Sequence, residues 1–393
     1  MISVKDAIQL VKNNCNPLIK EVVKPLKKSG NYRLYSDVYS PISMPPFRQS
    51  AMDGFALNIT EHNTYKVIGE IKAGDDTSLV LKPGEAVRIF TGAPVPDTAN
   101  AVIMQEKVKV FSTKIIVNLD AVSLNKNIRP KGEQVKKGDI ALKKDTKLTP
   151  AAIGYLSSLG ITEVTVYKKP SIAIITTGNE LVDGGQKLPY GKIYESNSKM
   201  LQNALYNLKF YDLSIHRIQD DYTATLNTLN EITKTKDLVI ISGGISVGDY
   251  DFVGKALKEL NVNQHFYKVM QKPGKPLYFG KRDQATIFAL PGNPAAALTC
   301  FYMYVYVALQ KMTNKPNIEL PKTQAKSNSI FNKNGNRPQF LKAIYNNQTV
   351  TILEGQSSAM LQTFALSNAL VFMPENVEVI NINDTVEVIL LPV

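Results

Sequence analysis

Three acidic residues stand where apolar, β-branched runs give way to loops. Glu180 lies in TTGNEL (176–181), Asp220 in QDD (219–221), and Asp251 closes SGGISVGDYD (242–251). Carboxylates gathered on one sheet edge repel one another unless a cation relieves the repulsion. Gly243, Gly244 and Gly248 free the backbone of the third segment for close approach to a phosphate, with Ser246 beside them in the same binding loop. Acids beside a phosphate loop suit Mg2+, which takes one or two carboxylates plus phosphate oxygens. Asp249 and Asp251 in that segment, with Asp220 on the same sheet edge, are therefore candidates to hold Mg2+, and Glu180 is a candidate ligand or orienting carboxylate for the same site.

A second constellation is cationic. KVMQKPGKP (268–276) carries Lys268, Lys272 and Lys275, with Pro273 and Pro276 stiffening the segment and Gly274 letting it turn. Three ammonium groups on a short turn suit an oxyanion such as phosphate or molybdate. Gly274 to Lys281 is not a nucleotide P-loop: Arg282 follows Gly280-Lys281 in place of Ser or Thr, and the spacing is one residue too long. ALPGNPAAALTCF (289–301) reads as a strand, a tight turn through Pro291, Gly292 and Asn293, and a helix with Asn293 as cap and Pro294 as first residue. Its exposed N-terminus is expected to favour an anion. In the N-terminal half, PPFRQSAMDGFA (45–56) concentrates Arg48, Gln49, Ser50 and Asp53, with Asp53-Gly54 as a turn signal. RIFTGAPVP (88–96) offers Thr91, and IRPKGEQVKKGD (128–139) offers Arg129 and Glu133. Taken singly, each segment is also readable as an ordinary turn, helix cap or solvated loop.

The elements around these segments fall into blocks. Val4, Ala7, Ile8 and Val11 share one helical face behind Ser3 as N-cap. Residues 63–140 read as short strands separated by Gly and Pro, a small β domain. Thr149 and Pro150 open a helix that Gly160 stops. Between 170 and 310, the runs SIAIITTG, YDLSIHRI, DLVIISGG and ATIFALPG alternate with helical patterns, one of them behind Ser196 as cap. That alternation implies crossovers and a mainly parallel sheet, with ligands beyond the C-terminal strand ends. From Pro316 onward FLKAIY, TVTILEG, ALVFMPE and DTVEVILL are short and partly alternating, a C-terminal β domain or small barrel.

Composition removes several function classes. The net charge of +12 is spread along the chain without a basic tail, so no nucleic-acid footprint is expected. Cys15, Cys300, His62, His216 and His265 lie far apart with no metal-ligand spacing, which argues against zinc and iron–sulfur sites. No apolar run is long enough to span a membrane, and the amphipathic N-terminus does not read as a signal peptide. A cytoplasmic location is expected.

PPFRQSAMDGFA, RIFTGAPVP, IRPKGE, TTGNEL, ISGGISVGDYD, KPGKP and LPGNP occur in the order and spacing of one family: the sequence resembles MoeA and the related gephyrin E domain. The resemblance implies a multidomain α/β and β fold in four parts. A helical linker region would combine 1–44 with 141–168, followed by a β domain at 45–140, a MogA-like α/β domain with a mainly parallel sheet at 169–315, and a C-terminal β-barrel at 316–393. It implies a molybdopterin molybdenumtransferase that inserts molybdate into adenylylated molybdopterin, releases AMP and uses Mg2+ held by Asp220 and Asp251, with Glu180 positioning a ligand or water. It also implies a homodimer, with Asp53 and Thr91 of one chain facing Glu180, Asp220, Asp251, Lys268, Lys272, Lys275, Pro291 and Pro294 of the other. A MogA-like adenylyltransferase and recipient molybdoenzymes are the implied protein partners. Ser50, Gly243, Gly244, Ser246, Gly292 and Asn293 complete the expected substrate contacts. The sequence departs from the family at Gln134, where an acid is usual; its role would pass to Glu133 or be dispensable. Two other readings stay open here, a MogA-like adenylyltransferase and a gephyrin-like scaffold.

Overall fold

The structure, a computed structural model, describes residues 1–76, 79–245 and 252–393. It divides into two compact units, Glu21–Tyr167 and a second made of Met1–Lys20 with Lys168–Val393.

In the first unit a six-stranded sheet runs Ala101–Met104, Gly54–Leu57, Glu85–Ile89, Thr64–Ile71, Lys114–Val117, Val108–Phe111. Side chains alternate between its faces, as the two-residue period of a strand requires. Ala56, Val87 and Val102 enter one apolar cluster, while Phe55, Leu57, Ala86 and Ile103 enter the other. Gly54 opens a strand paired on both sides, so Asp53-Gly54 is a strand entrance and not the turn its sequence suggests. Elsewhere in this unit Glu21–Pro25 pairs antiparallel with Glu163–Tyr167. The helix Pro150–Ser158 begins as expected: Thr149 Oγ1 accepts the N–H of Ala152 at 3.2 Å.

The second unit is built on a six-stranded sheet ordered Leu213–Ile218, Ile172–Thr177, Leu238–Ser242, Ala285–Leu290, Tyr278–Arg282, Asn263–Tyr267. The first four strands are parallel and the last two antiparallel. Strands Ile172–Thr177, Leu238–Ser242 and Ala285–Leu290 are buried throughout, which is why they read as continuous apolar runs. Ile172, Ile174 and Ile240 pack with Leu201 and Leu205 of the helix Asn197–Asn207. The opposite face, with Ile175 and Ile241, packs on Leu229 and Ile232 of Tyr222–Thr235 and on Val253 and Leu257 of Phe252–Glu259. Helix Val4–Asn14 buries Ala7, Ile8 and Val11 in the first of these cores, so the chain's first residues pack on the α/β layer. Amphipathic spacing reveals a buried face and not the partner it packs on.

The same unit includes a closed five-stranded barrel ordered Lys322–Ser327, Thr349–Ile352, Gln339–Asn346, Ala369–Met373, Thr385–Leu390. Its first strand is polar enough to escape a reading by hydrophobicity; Ala325 and Ser327 are its buried positions. Among the described residues, no helix is long and apolar enough to cross a membrane.

Candidate functional site

A cavity of about 870 Å³ opens beyond the C-terminal ends of Ile172–Thr177 and Leu238–Ser242. From these neighbouring strands the chain leaves toward helices on opposite faces, the position at which open α/β sheets take ligands. Glu180, Asp220, Gly243, Gly244, Pro291, Gly292, Asn293 and Pro294 all line it. Strand ends more than a hundred residues apart in sequence thus converge on one space.

Asp220 and Asp221 divide their labour. Asp221 Oδ1 accepts the N–H of Ala224 at 2.7 Å and caps the helix Tyr222–Thr235. Asp220 faces the cavity, where its Oδ2 accepts the N–H of Asn179 at 3.0 Å, while the Asn179 side-chain oxygen accepts the N–H of Asp220 at 3.1 Å. This reciprocal pair ties the loop bearing Glu180 to the end of strand Leu213–Ile218. Gly243 has φ of +97°, and a Cβ there would lie 2.8 Å from the carbonyl oxygen of Thr177, so only glycine fits this approach. Ser246, Asp249 and Asp251 lie outside the described residues.

Two expectations are altered. The helix starting at Pro294 does not present an open N-terminus. The carbonyl of Ser358, from a barrel loop, accepts the N–H groups of Ala295 at 3.1 Å and Ala296 at 3.3 Å. Asn293 makes no capping bond; its side chain donates to Ser358 Oγ at 3.0 Å. A protein carbonyl therefore holds the place an anion was expected to take. The lysines also stand apart from the cavity wall, which their segment reaches through Pro276. Lys268 Nζ lies 4.8 Å from the ring centroid of Tyr267. Lys272 is joined to the barrel, its N–H donating to Pro338 and its carbonyl accepting from Phe340, both at 2.9 Å. Lys275 is exposed. Among the described residues the lining carries Glu180, Glu195 and Asp220 but no Lys or Arg. A phosphate-bearing ligand would meet like charge there, and a hard cation is the ordinary remedy.

Sequence reasoning missed Asn197 and Glu195. The Asn197 amide donates to Ser242 Oγ at 2.8 Å and to the Gly292 carbonyl at 2.7 Å, fastening two walls of the cavity together. Ser196 makes no side-chain cap; Glu195 does that work, accepting the N–H of Ser198 at 2.7 Å. The available signal was an acid three residues before a helical serine, which capping rules for Ser and Asn pass over.

In the unit Glu21–Tyr167 a separate polar cluster forms. Asp53 Oδ1 accepts both the N–H and the hydroxyl of Thr91, each at 2.7 Å. The N–H bond, then the hydroxyl bond, hold the Asp53 carboxyl below the usual carboxylate range. Arg48 donates to the carbonyls of Pro96, Asp97 and Ala99, and Gln49 to that of Gly92, so the two motifs are locked together. Ser50 is fully buried and gives its hydroxyl to the carbonyl of Met52 at 2.7 Å, shaping the loop that carries Asp53.

Residues 2–160 match the MoeA N-terminal region (domain I and II), residues 173–311 a probable molybdopterin binding domain, and residues 324–391 the MoeA C-terminal region (domain IV). A molybdopterin molybdenumtransferase of Staphylococcus aureus is 32% identical across 99% of this chain and 95% of its own length. The chain belongs to the MoeA family. A second relative, the molybdopterin molybdenumtransferase of Haemophilus influenzae, is 37% identical over 75% of this chain and 74% of its own length. A solved structure of the MoeA protein of Pyrococcus horikoshii superposes with a TM-score of 0.79 at 30% identity, covering 99% of this chain and 100% of that one. Another Pyrococcus MoeA structure gives 0.83 at 28% identity, covering 99% of both chains. The agreement extends over both units and the barrel, so membership rests on the whole chain and not on its α/β domain alone.

Proposed function

We propose that this MoeA-family chain is a molybdopterin molybdenumtransferase, inserting molybdate into adenylylated molybdopterin with release of AMP. The observation that carries the reading is the acid-lined cavity at the switch point of the parallel sheet, walled by the TTGNEL, SGG and LPGNP segments. Its donor set fits Mg2+: Asp220 supplies a hard oxygen at the cavity edge, with Asp251 as its proposed partner and Glu180 to orient a ligand or water. When bound, Mg2+ supplies positive charge to the phosphate oxygens. The residues then act by binding and orientation. Gly243 and Gly244 bring backbone close to a phosphate, and the Pro291–Pro294 turn bounds the space left for the pterin. Lys268, Lys272 and Lys275 offer cationic groups to molybdate, whose approach to another anion is otherwise opposed. The dithiolene sulfurs come from the substrate. Cys15 and Cys300 are buried, and burial pushes both thiols up, that of Cys15 to about 12, which makes them poor metal ligands.

The same reading includes a homodimer in which the Asp53–Thr91 pair of one chain serves the cavity of the other. The two hydrogen bonds from Thr91 fix the orientation of the Asp53 carboxylate. The test is to incubate the purified protein with adenylylated molybdopterin and Mg2+ and to follow AMP by chromatography with and without molybdate. Molybdate-dependent AMP release with molybdenum retained on the pterin is expected. Verified substrate binding without molybdate dependence would refute the transferase reading and favour a binding or carrier role.

A further inference from the structure

The loop that displays the lysines is organised around a buried side chain to which the proposed reaction gives no part. Backbone bonds from Lys268 N–H to the Leu277 carbonyl at 3.1 Å and from Val269 N–H to the Lys275 carbonyl at 3.0 Å close residues 268–277 into a narrow loop. Gln271 fills its tip and has no exposed surface. Its amide nitrogen donates to the carbonyls of Pro273 and Gly274, each at 3.1 Å, and approaches Cys300 Sγ at 3.5 Å. Its amide oxygen accepts the hydroxyl of Tyr304. Two carbonyl acceptors fix which end of the amide is nitrogen, because the flipped form would set oxygen against oxygen. Burial raises the pKa of both Tyr304 and Cys300, so Tyr304 stays a neutral donor and Cys300 a neutral thiol.

The cage leaves no slack. Gly274 has φ of +87°, and a Cβ there would stand 2.5 Å from Cys300 Sγ and 2.9 Å from the Gln271 amide nitrogen. Cys300 ends the helix Pro294–Cys300, and Tyr304 belongs to the π-helical turn Phe301–Val305 that follows. On the other side Arg337 donates to the Gln271 backbone carbonyl at 2.8 Å, while Lys272 is bonded into the barrel edge. Among the described residues neither Lys272 nor Lys275 is ion-paired with a carboxylate.

We propose that Gln271 is a positioning residue: oriented by Tyr304, its carboxamide fixes the backbone from which Lys272 and Lys275 meet a tetrahedral oxyanion. The inference rests on the reading that these lysines bind molybdate. Long lysine side chains lose much freedom on binding, and a rigid backbone removes the further cost of ordering the loop itself.

The experiment measures AMP release against molybdate concentration for Gln271→Met, Tyr304→Phe and the double variant Lys272→Ala/Lys275→Ala. Tyr304→Phe removes a single hydroxyl and guards against a Gln271 variant that fails to fold. Both positioning variants are expected to raise the KM for molybdate about tenfold, leaving kcat and the KM for adenylylated molybdopterin within about twofold. In the lysine double variant, adding Tyr304→Phe should have no further effect on molybdate KM, because the groups it positions are gone. If the lysine variant raises molybdate KM while Gln271→Met and Tyr304→Phe do not, the positioning role is overturned and the anion-site reading stands. If the lysine variant leaves molybdate dependence unchanged, that reading falls and takes this inference with it. A parallel loss in kcat and both KM values would mark Gln271 as merely structural and equally overturn the proposal.

Discussion

Replacing Lys342 with Met should loosen one wall of the cavity from a distance. Lys342 sits in the barrel strand Gln339–Asn346 and is 3% exposed. Its ammonium donates to the carbonyls of Gly355 at 2.8 Å, Ser357 at 3.0 Å and Met360 at 3.1 Å, all in one loop. Between these anchors, Ser358 closes the start of the helix at Pro294 and Ala359 lines the cavity. Burial draws the Lys342 pKa below the ordinary lysine value, so part of what the three bonds contribute is offset by desolvation of the charge. Methionine preserves most of the apolar stem and removes all three bonds. At about 1 kcal/mol net for each hydrogen bond, the loop should lose about 3 kcal/mol. Hydrogen exchange reads this directly, because the amides of Ala295 and Ala296 are protected by the Ser358 carbonyl. If the loop opens locally, their exchange should accelerate on the order of 100-fold, while amides in strand Leu238–Ser242 keep their protection. Unchanged exchange at Ala295 and Ala296 in a folded Lys342→Met protein would refute the argument that this lysine holds the wall.

Two further outcomes follow from the geometry. Burial pushes the Asp237 carboxyl up, but the Ser171 N–H and hydroxyl and the Lys20 ammonium outweigh it, leaving the pKa below its usual 3.8. A depressed folded pKa contributes stability above the unfolded value of about 4 that is lost as pH falls through the folded one. Asp237→Asn should therefore cost about 1–2 kcal/mol at neutral pH and flatten the decline below about pH 4, as read by urea midpoints across pH; parallel wild-type and variant curves would contradict the assignment. For the proposed dimer, an equal mixture of Asp53→Ala and Asp220→Ala chains, allowed to exchange subunits, should regain about a quarter of wild-type activity, because half the dimers then hold one intact site. Verified mixed dimers without activity would argue against a site shared between chains.

The sequence by itself determined most of the elements and the family to which the chain belongs. Buried parallel strands announce themselves as unbroken apolar runs, so the central sheet and the strand ends bearing Glu180, Asp220 and Gly243 were legible, as was the order of the seven motifs. Local capping was legible where the partner lies within one turn, as at Ser3 and Thr149. Tertiary structure decided whatever depends on partners distant in the chain. Nothing near Pro294 tells that Ser358 will occupy its helix start, and nothing near Asp53 tells that Thr91 will fix its carboxylate. Asp220 and Asp221 are chemically equivalent as residues; only the helix that begins at Tyr222 makes one a cap and frees the other for the cavity. The lysines were legible as a cationic cluster by type and spacing, yet that Lys272 sits on the barrel edge, and that none of the three lines the cavity, follows from long-range packing such as the bonds of Lys272 to Pro338 and Phe340. Residue type and spacing define what a group is able to do, whereas distance, burial and the competition for hydrogen bonds, set by long-range packing, select what it faces.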